Sequence, residues 1–238
     1  MSLIKYLANL GYGTRREVTS LVAARRVTRA DGGIVSAEEA FVHADLRVDG
    51  TELDPPPGSV LVLNKPAGYV CSTQDVPPLV YELLPDRFRQ RTPIIAPIGR
   101  LDRDTTGLLL LTDDGGLNHR LSSPRMHSPK TYRATLANPL RGDEAALFAD
   151  GTLMLSGETA PLAPARLTII DSQTIALTII EGRYHQVRRM FAAVGNHVLT
   201  LQRTAIGAFT LPDLEPGAWR PLTDRERHLI VSASPTAP

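Results

Sequence analysis

Four consecutive leucines, Leu108 to Leu111, constrain this chain more than any other feature. Such a run must be buried. It follows a polar stretch punctuated by glycine, Gly99-Arg100-Leu101-Asp102-Arg103-Asp104-Thr105-Thr106-Gly107, and it precedes Thr112-Asp113-Asp114-Gly115. An apolar run, Ile94 to Ile98, lies upstream. The pattern reads as strand, exposed loop, buried strand and turn. Asp102 then sits on a loop held between two anchored elements, where a rigid scaffold places a carboxylate with small positional error. Read from spacing alone, Asp102 and Asp104 serve equally well as turn formers that bond their own backbone.

A chain of 238 residues accommodates one large domain, or a small one beside a medium one. With 42% hydrophobic residues it has the material for a core. Its net charge of +1 removes a whole-chain basic excess as a pointer to nucleic acid, so local charge has to carry that argument. A single cysteine, Cys71, excludes an intramolecular disulfide framework. It reads as a small buried hydrophobe, since no activating base surrounds it in sequence. No Cys/His cluster has metal-ligand spacing, and no apolar stretch approaches a membrane span. The N-terminal residues lack a signal-peptide core, which leaves the cytoplasm as the expected compartment.

The chain opens with Leu3, Ile4, Leu7 and Leu10 at helical spacing. Thr14 with Glu17 predicts a capping box and a second helix that buries Val18, Leu21 and Val22. Short strands follow at 26–29, 34–36 and 46–48. In the first thirty residues Lys5, Arg15, Arg16, Arg25, Arg26 and Arg29 stand against Glu17 alone, which reads either as a phosphate-binding face or as a solvated helix face. Asp54-Pro55-Pro56-Pro57-Gly58-Ser59 favours extended polyproline and is the best boundary. The expected organisation is a unit at 1–54, a linker at 55–59, a larger unit at 60–231 and a frayed tail at 232–238.

Within the larger unit, 60–63 predicts a buried strand and 80–84 a short helix. Arginine-rich 86–92, with little apolar content, predicts a mobile loop. Asp113 or Asp114 caps a helix to about Leu121. Strands are expected at 130–136, 165–171, 174–180, 196–203 and 206–211, and helices at 142–149 and after Gly182, the latter burying Val187, Met190, Phe191 and Val194. Thr223 with Glu226 caps the last helix. Strands outnumber helices and short turns join many of them. That favours an α+β fold with a mainly antiparallel sheet.

Three strings stand out in order: Gly99-Arg100-Leu101-Asp102-Arg103-Asp104-Thr105-Thr106-Gly107, Lys130-Thr131-Tyr132, and Glu181-Gly182-Arg183-Tyr184-His185-Gln186-Val187-Arg188-Arg189. Together with Leu63-Asn64-Lys65-Pro66-Ala67-Gly68 they resemble RNA pseudouridine synthases, most of all the branch that modifies small-subunit ribosomal RNA. Residues 1–50, with Tyr12-Gly13-Thr14-Arg15-Arg16-Glu17, resemble the S4 RNA-binding domain. The chain departs from that likeness where Ser2-Leu3-Ile4-Lys5 replaces an arginine-containing opening, and where 28–33 replaces a tighter turn.

The resemblance implies isomerisation of uridine within RNA: the bond from C1′ to N1 breaks, the base turns, and C1′ bonds to C5. No atoms or electrons are gained, so no cofactor or metal is called for. By resemblance Asp102 is the catalytic carboxylate, Tyr132 faces the flipped uracil, and Arg183 supplies the cation beside Asp102. Arg100 fills the gap left in the RNA stack. The RNA-binding set is then Lys5, Arg15, Arg16, Arg25, Arg26, Lys65, Arg100, Arg188 and Arg189. His185 reads as structural or RNA-contacting. The implied partner is ribosomal RNA or a ribosome assembly intermediate, with no membrane, and the expected state is a monomer. The alternatives are a synthase of the same family acting on large-subunit ribosomal RNA and, from other classes, a non-catalytic RNA-binding assembly factor and an aspartate-dependent hydrolase of a small substrate.

Overall fold

The computed structural model describes residues 1–72, 76, 78–123, 126 and 128–231. The tail expected at 232–238, and the helix stop expected at Pro124-Arg125, lie outside them. Two sheets organise the chain, one of three strands and one of nine.

The first is built on α1 (Leu3–Asn9) and α2 (Arg15–Ala23). Thr14 and Glu17 form the reciprocal capping box, which satisfies two orphan donors of α2. The helices cover a sheet of β1 (Val27–Arg29), β2 (Leu46–Val48) and β3 (Thr51–Glu52), antiparallel in that order. Leu3, Leu7, Val18, Val27, Val35, Leu46 and Val48 make its core. The strand expected at 34–36 reduces to one bridge, Thr28 to Ile34. Lys5, Arg15, Arg16 and Arg25 are exposed, whereas Arg26 is held by Asp49 at 2.6 Å.

The larger sheet contains β4 (Val60–Lys65), β5 (Ala96–Ile98), β6 (Thr106–Thr112), β7 (Lys130–Leu136), β8 (Arg166–Ile169), β9 (Thr174–Ile179), β10 (Val198–Ile206), β11 (Phe209–Thr210) and β12 (Trp219–Pro221). Its order is β12-β4-β6-β10-β7-β9-β8, with β5 on β6 and β11 on β10. Among the strands of this sheet, β6 and β10 pair in parallel and the others antiparallel. Residues 219–221 carry no strand signal in sequence, yet as β12 they pair with β4 at the sheet's edge.

The leucine run explains why both faces of this sheet are covered. Successive strand residues point to opposite faces. Leu109 and Leu111 join Leu61 and Leu63 in one core, while Leu108 and Leu110 join Val60 and Val62 in another. The first core is closed by α4 (Glu144–Asp150) and α5 (Gln186–Ala193), whose Phe148 and Phe191 meet edge to face at 5.3 Å. The second is closed by α3 (Gly115–Ser122) and α6 (Asp224–Val231) through Leu117 and Ile230. Asp114 caps α3, and Thr223 with Glu226 caps α6. Arg220 grips Glu226 and pulls its pKa down to about 2.

The segment expected as a mobile arginine loop is instead packed. Asp86–Gln90 forms a 3-10 turn with Phe88 fully buried against Trp219. Arg91 lies over the Phe88 ring and pairs with Asp113 at 3.1 Å, both side chains buried. Charge density alone points to solvent here; the partners that bury these residues are remote in sequence. The linker is fastened to the same pair, since Arg91 donates to Pro55 O and Gly58 N donates to Asp113.

Candidate active site

Asp102 lies in the loop between β5 and β6, and that loop is pinned on both sides. Lys65, at the end of β4, is fully buried. Its ammonium donates to Arg103 O at 3.0 Å, Thr105 O at 2.9 Å and Pro66 O at 3.1 Å. Gly68 N donates to Arg103 O, and Arg103 Nε donates back to Gly68 O. Thr105 N closes a turn on Asp102 O, while Leu101 and Thr105 are buried. Two buried anchors and a buried cation therefore fix the backbone of Asp102 while leaving its carboxylate about a third exposed (36%).

The expectation that Lys65 meets RNA phosphate is corrected here: no part of it reaches solvent. Burial pushes its pKa below the ordinary lysine value, and nearby Cys71, Asp104 and Asp102 pull back upward. It positions the loop.

Asp102 and Tyr132 line one cavity of about 90 Å³, together with Arg100, Leu101, Ile179, Arg183 and His185. Tyr132 projects from the middle of β7, directly opposite Arg203 on β10 and Leu177 on β9. It is nearly buried (9%), so its ring forms a wall between polar and apolar surroundings.

Arg183 lines the cavity, but its guanidinium does not pair with Asp102. It donates to Glu181 and Glu158, and to the carbonyls of Ala160 and Pro161. The side chain that does approach the carboxylate is His185, whose Nε2 stands 3.5 Å from Asp102 Oδ1. His185 precedes α5 with φ of 48°, in the left-handed region, and its ring stacks on exposed Tyr184 at 3.8 Å. The string Arg183-Tyr184-His185-Gln186 thus turns sharply, so the histidine rather than the arginine reaches inward. A helical reading of the string hides that reversal.

Two other arginines expected to face RNA are also engaged. Arg189 donates to Glu158, Ser156 O and Tyr184 O, and Arg188 donates to Val198 O. Both are partly buried, and both brace α5 against its neighbours. Arg100 is exposed at the cavity mouth. Among the described residues, no group of three or more His, Cys, Asp or Glu is placed to hold a metal ion. No described helix is long and apolar enough to cross a membrane.

Residues 59–193 match the family model described as RNA pseudouridylate synthase. The chain belongs to the RNA pseudouridylate synthase family. A relative from Yersinia pestis named ribosomal small subunit pseudouridine synthase A is 47% identical over 231 residues, covering 95% of this chain and 96% of that protein. One of the same name from Escherichia coli K12 is 45% identical over 236 residues, covering 97% of this chain and all (100%) of that protein. A crystal structure of a pseudouridylate synthase superposes with a TM-score of 0.69 at 40% identity, covering 97% of this chain and 99% of its own. The protein is thus an RNA pseudouridine synthase with a mixed, mainly antiparallel fold. The match spans the three-stranded unit as well as the larger sheet.

Proposed function

We propose that this synthase isomerises a uridine of small-subunit ribosomal RNA, with Asp102 as the carboxylate that acts on the flipped nucleotide. The observation that carries the catalytic part is the convergence of Asp102 and Tyr132 on one cavity beside a rigidly held loop. The small-subunit target rests on the end-to-end likeness to relatives bearing that name. Flipping a base out of its stack costs a few kcal/mol, so the target uridine lies in a loop or irregular helix where that cost is least. Tyr132 offers a flat apolar face to the extruded uracil. Asp102 then acts at the sugar or the ring as a positioned nucleophile or charge stabiliser. His185 orients the carboxylate, and Arg183 holds the 158–161 segment and the strand-to-helix turn that form the far wall. The substrate is ribosomal RNA, free or in an assembly intermediate, and the protein acts as a monomer in the cytoplasm.

The test has two readings. Tritium release from RNA carrying [5-³H]uridine reports the chemistry. Mapping of pseudouridine in both ribosomal RNAs, from a deletion strain and its complement, reports the target. Loss of a large-subunit site with the small-subunit RNA unchanged would refute the target. Absence of release from any ribosomal RNA would refute the reaction.

The three-stranded unit, residues 1–54, serves as an S4-like RNA-binding module in this reading. Lys5, Arg15, Arg16 and Arg25 are its candidates, because they are exposed and no ion pair between them and an acidic residue is seen among the described residues. Arg26, committed to Asp49, contributes less. Replacing Arg15 and Arg16 with alanine should weaken RNA binding and flatten the slope of log affinity against log salt by roughly 0.7–0.9 for each phosphate that is no longer neutralised. An unaltered slope would remove both from the interface.

A further inference from the structure

A second cavity, of about 180 Å³, adjoins the first and shares Arg100, Tyr132 and Gly182 with it. It arises from the topology. β6 and β10 pair only at Gln202 with Thr106 and Arg203 with Gly107, and β5 takes the place beside β6 from Leu110 onward. Between those two pairings the strands part. Gly107 permits the close approach that ends the ladder: with φ of 95°, a Cβ there would sit 2.4 Å from Arg203 O. Arg203 Nε then donates to Leu108 O, supplying the bond that the departing strand no longer makes.

The gap is lined by cations that have no acidic partner at ion-pair distance among the described residues. Arg203 is 2% exposed and Ser128 4% exposed. Arg203 Nη2 and Ser128 Oγ are buried and have no hydrogen-bond partner among the described residues. Lys130 stands two residues before Tyr132 on β7, hence on the same face, and its ammonium donates only to Ser128 O among the described residues. Burial, with Arg203 beside it, pushes its pKa down to about 8. The one carboxylate in the lining, Glu181, spends its oxygens on Ala163 N, Gln186 and Arg183. A buried guanidinium, a half-buried ammonium and an unbonded hydroxyl, facing one cavity with no free acidic group among the described residues, are costly unless an anion completes them.

We propose that this cavity is an anion subsite that seats a backbone phosphate of the RNA strand next to the target nucleotide, while the first cavity takes the base. The inference rests on the uridine-isomerising reading and adds a recognition element to it. The shared wall, Tyr132, suits the arrangement, since a nucleotide and its neighbouring phosphate are joined by a few bonds. Phosphate is the matching chemistry because its oxygens accept from a guanidinium, an ammonium and a hydroxyl together. The subsite fixes the strand's register and carries no sequence information by itself.

The experiment measures equilibrium affinity of the full chain for an RNA fragment holding the mapped uridine. Neutral methylphosphonate linkages are placed one at a time on either side of that uridine. With the wild type, one linkage should weaken binding about tenfold, the loss expected for a charge-assisted contact. With Lys130→Met the same linkage should change affinity less than twofold. Inorganic phosphate should compete for the wild type alone. Equal effects of every linkage in both proteins would overturn the proposal. Tight binding of inorganic phosphate with no dependence on linkage would also overturn it, assigning the site to a free anion. A second measurement needs no variant: the Lys130 side-chain pKa, followed by carbon NMR, should rise when the all-phosphate RNA binds, and an unmoved value counts against the proposal. Both readouts are of binding, so loss of tritium release would bear on the reaction and not on this subsite.

Discussion

Asp102→Asn is expected to lower turnover by at least a hundredfold while leaving the fold and RNA affinity nearly unchanged. A hundredfold corresponds to about 2.7 kcal/mol of barrier, a lower bound for removing a nucleophile or a charge that stabilises the transition state. The fold should survive, because the carboxylate is partly exposed and, among the described residues, His185 is the one basic side chain within ion-pair distance of it. The loop itself hangs on Lys65, Leu101 and Thr105, which the substitution does not touch. Asparagine is nearly isosteric, so ground-state binding should change little, and kcat should fall with KM unaltered. Single-turnover tritium release with saturating RNA, alongside a binding isotherm, checks this. Residual activity above about a hundredth of the wild type would dismiss Asp102 as the reacting group, since a loss that small is within reach of mere misorientation.

Local chemistry was legible in the sequence. Thr14 with Glu17, Asp114, and Thr223 with Glu226 cap helices where their spacing says they should. The four leucines require burial, and the sheet satisfies them by presenting a core on each face. What escaped was the destination of the cations. Lys65, Arg91, Arg183 and Arg189 are indistinguishable in sequence from solvated basic residues. Many of their acceptors are carbonyls and carboxylates far along the chain: Arg103 lies 38 residues from Lys65, and Glu158 lies 25 residues from Arg183. No periodicity encodes such pairings, because only the sheet order brings β4 beside the β5–β6 loop. His185 escaped for a different reason. Its left-handed backbone reverses the direction a helical pattern assigns to it. A usable signal did exist for the second cavity, because Lys130 and Tyr132 share a strand face through period-two spacing alone.

Lys65→Met is expected to destabilise the protein by about 2–4 kcal/mol, and to reduce turnover of the molecules that remain folded by about ten- to a hundredfold. Methionine approximates the volume of the lysine stem, so packing is largely kept and the loss isolates the ammonium. Three acceptors, Pro66 O, Arg103 O and Thr105 O, then lose their shared donor in a site with little room for water. Arg103 O keeps its bond from Gly68 N; for Pro66 O and Thr105 O, leaving a buried polar group unpaired costs about 1–3 kcal/mol each, less whatever relaxation recovers. Relaxation is the route to the catalytic defect. Arg103 and Thr105 flank Asp102, so the carbonyls that turn toward water carry the carboxylate with them, and a displacement near 1 Å suffices for a loss of this size. The variant therefore separates the two roles a basic residue can have at this position. Urea unfolding gives the stability, and turnover corrected for the folded fraction gives the positioning effect. RNA affinity, measured below the unfolding midpoint, should stay within about twofold of the wild type, because a fully buried ammonium makes no phosphate contact and so releases no counterion. A drop in affinity with a flatter salt dependence and unchanged stability would instead place Lys65 at the RNA surface.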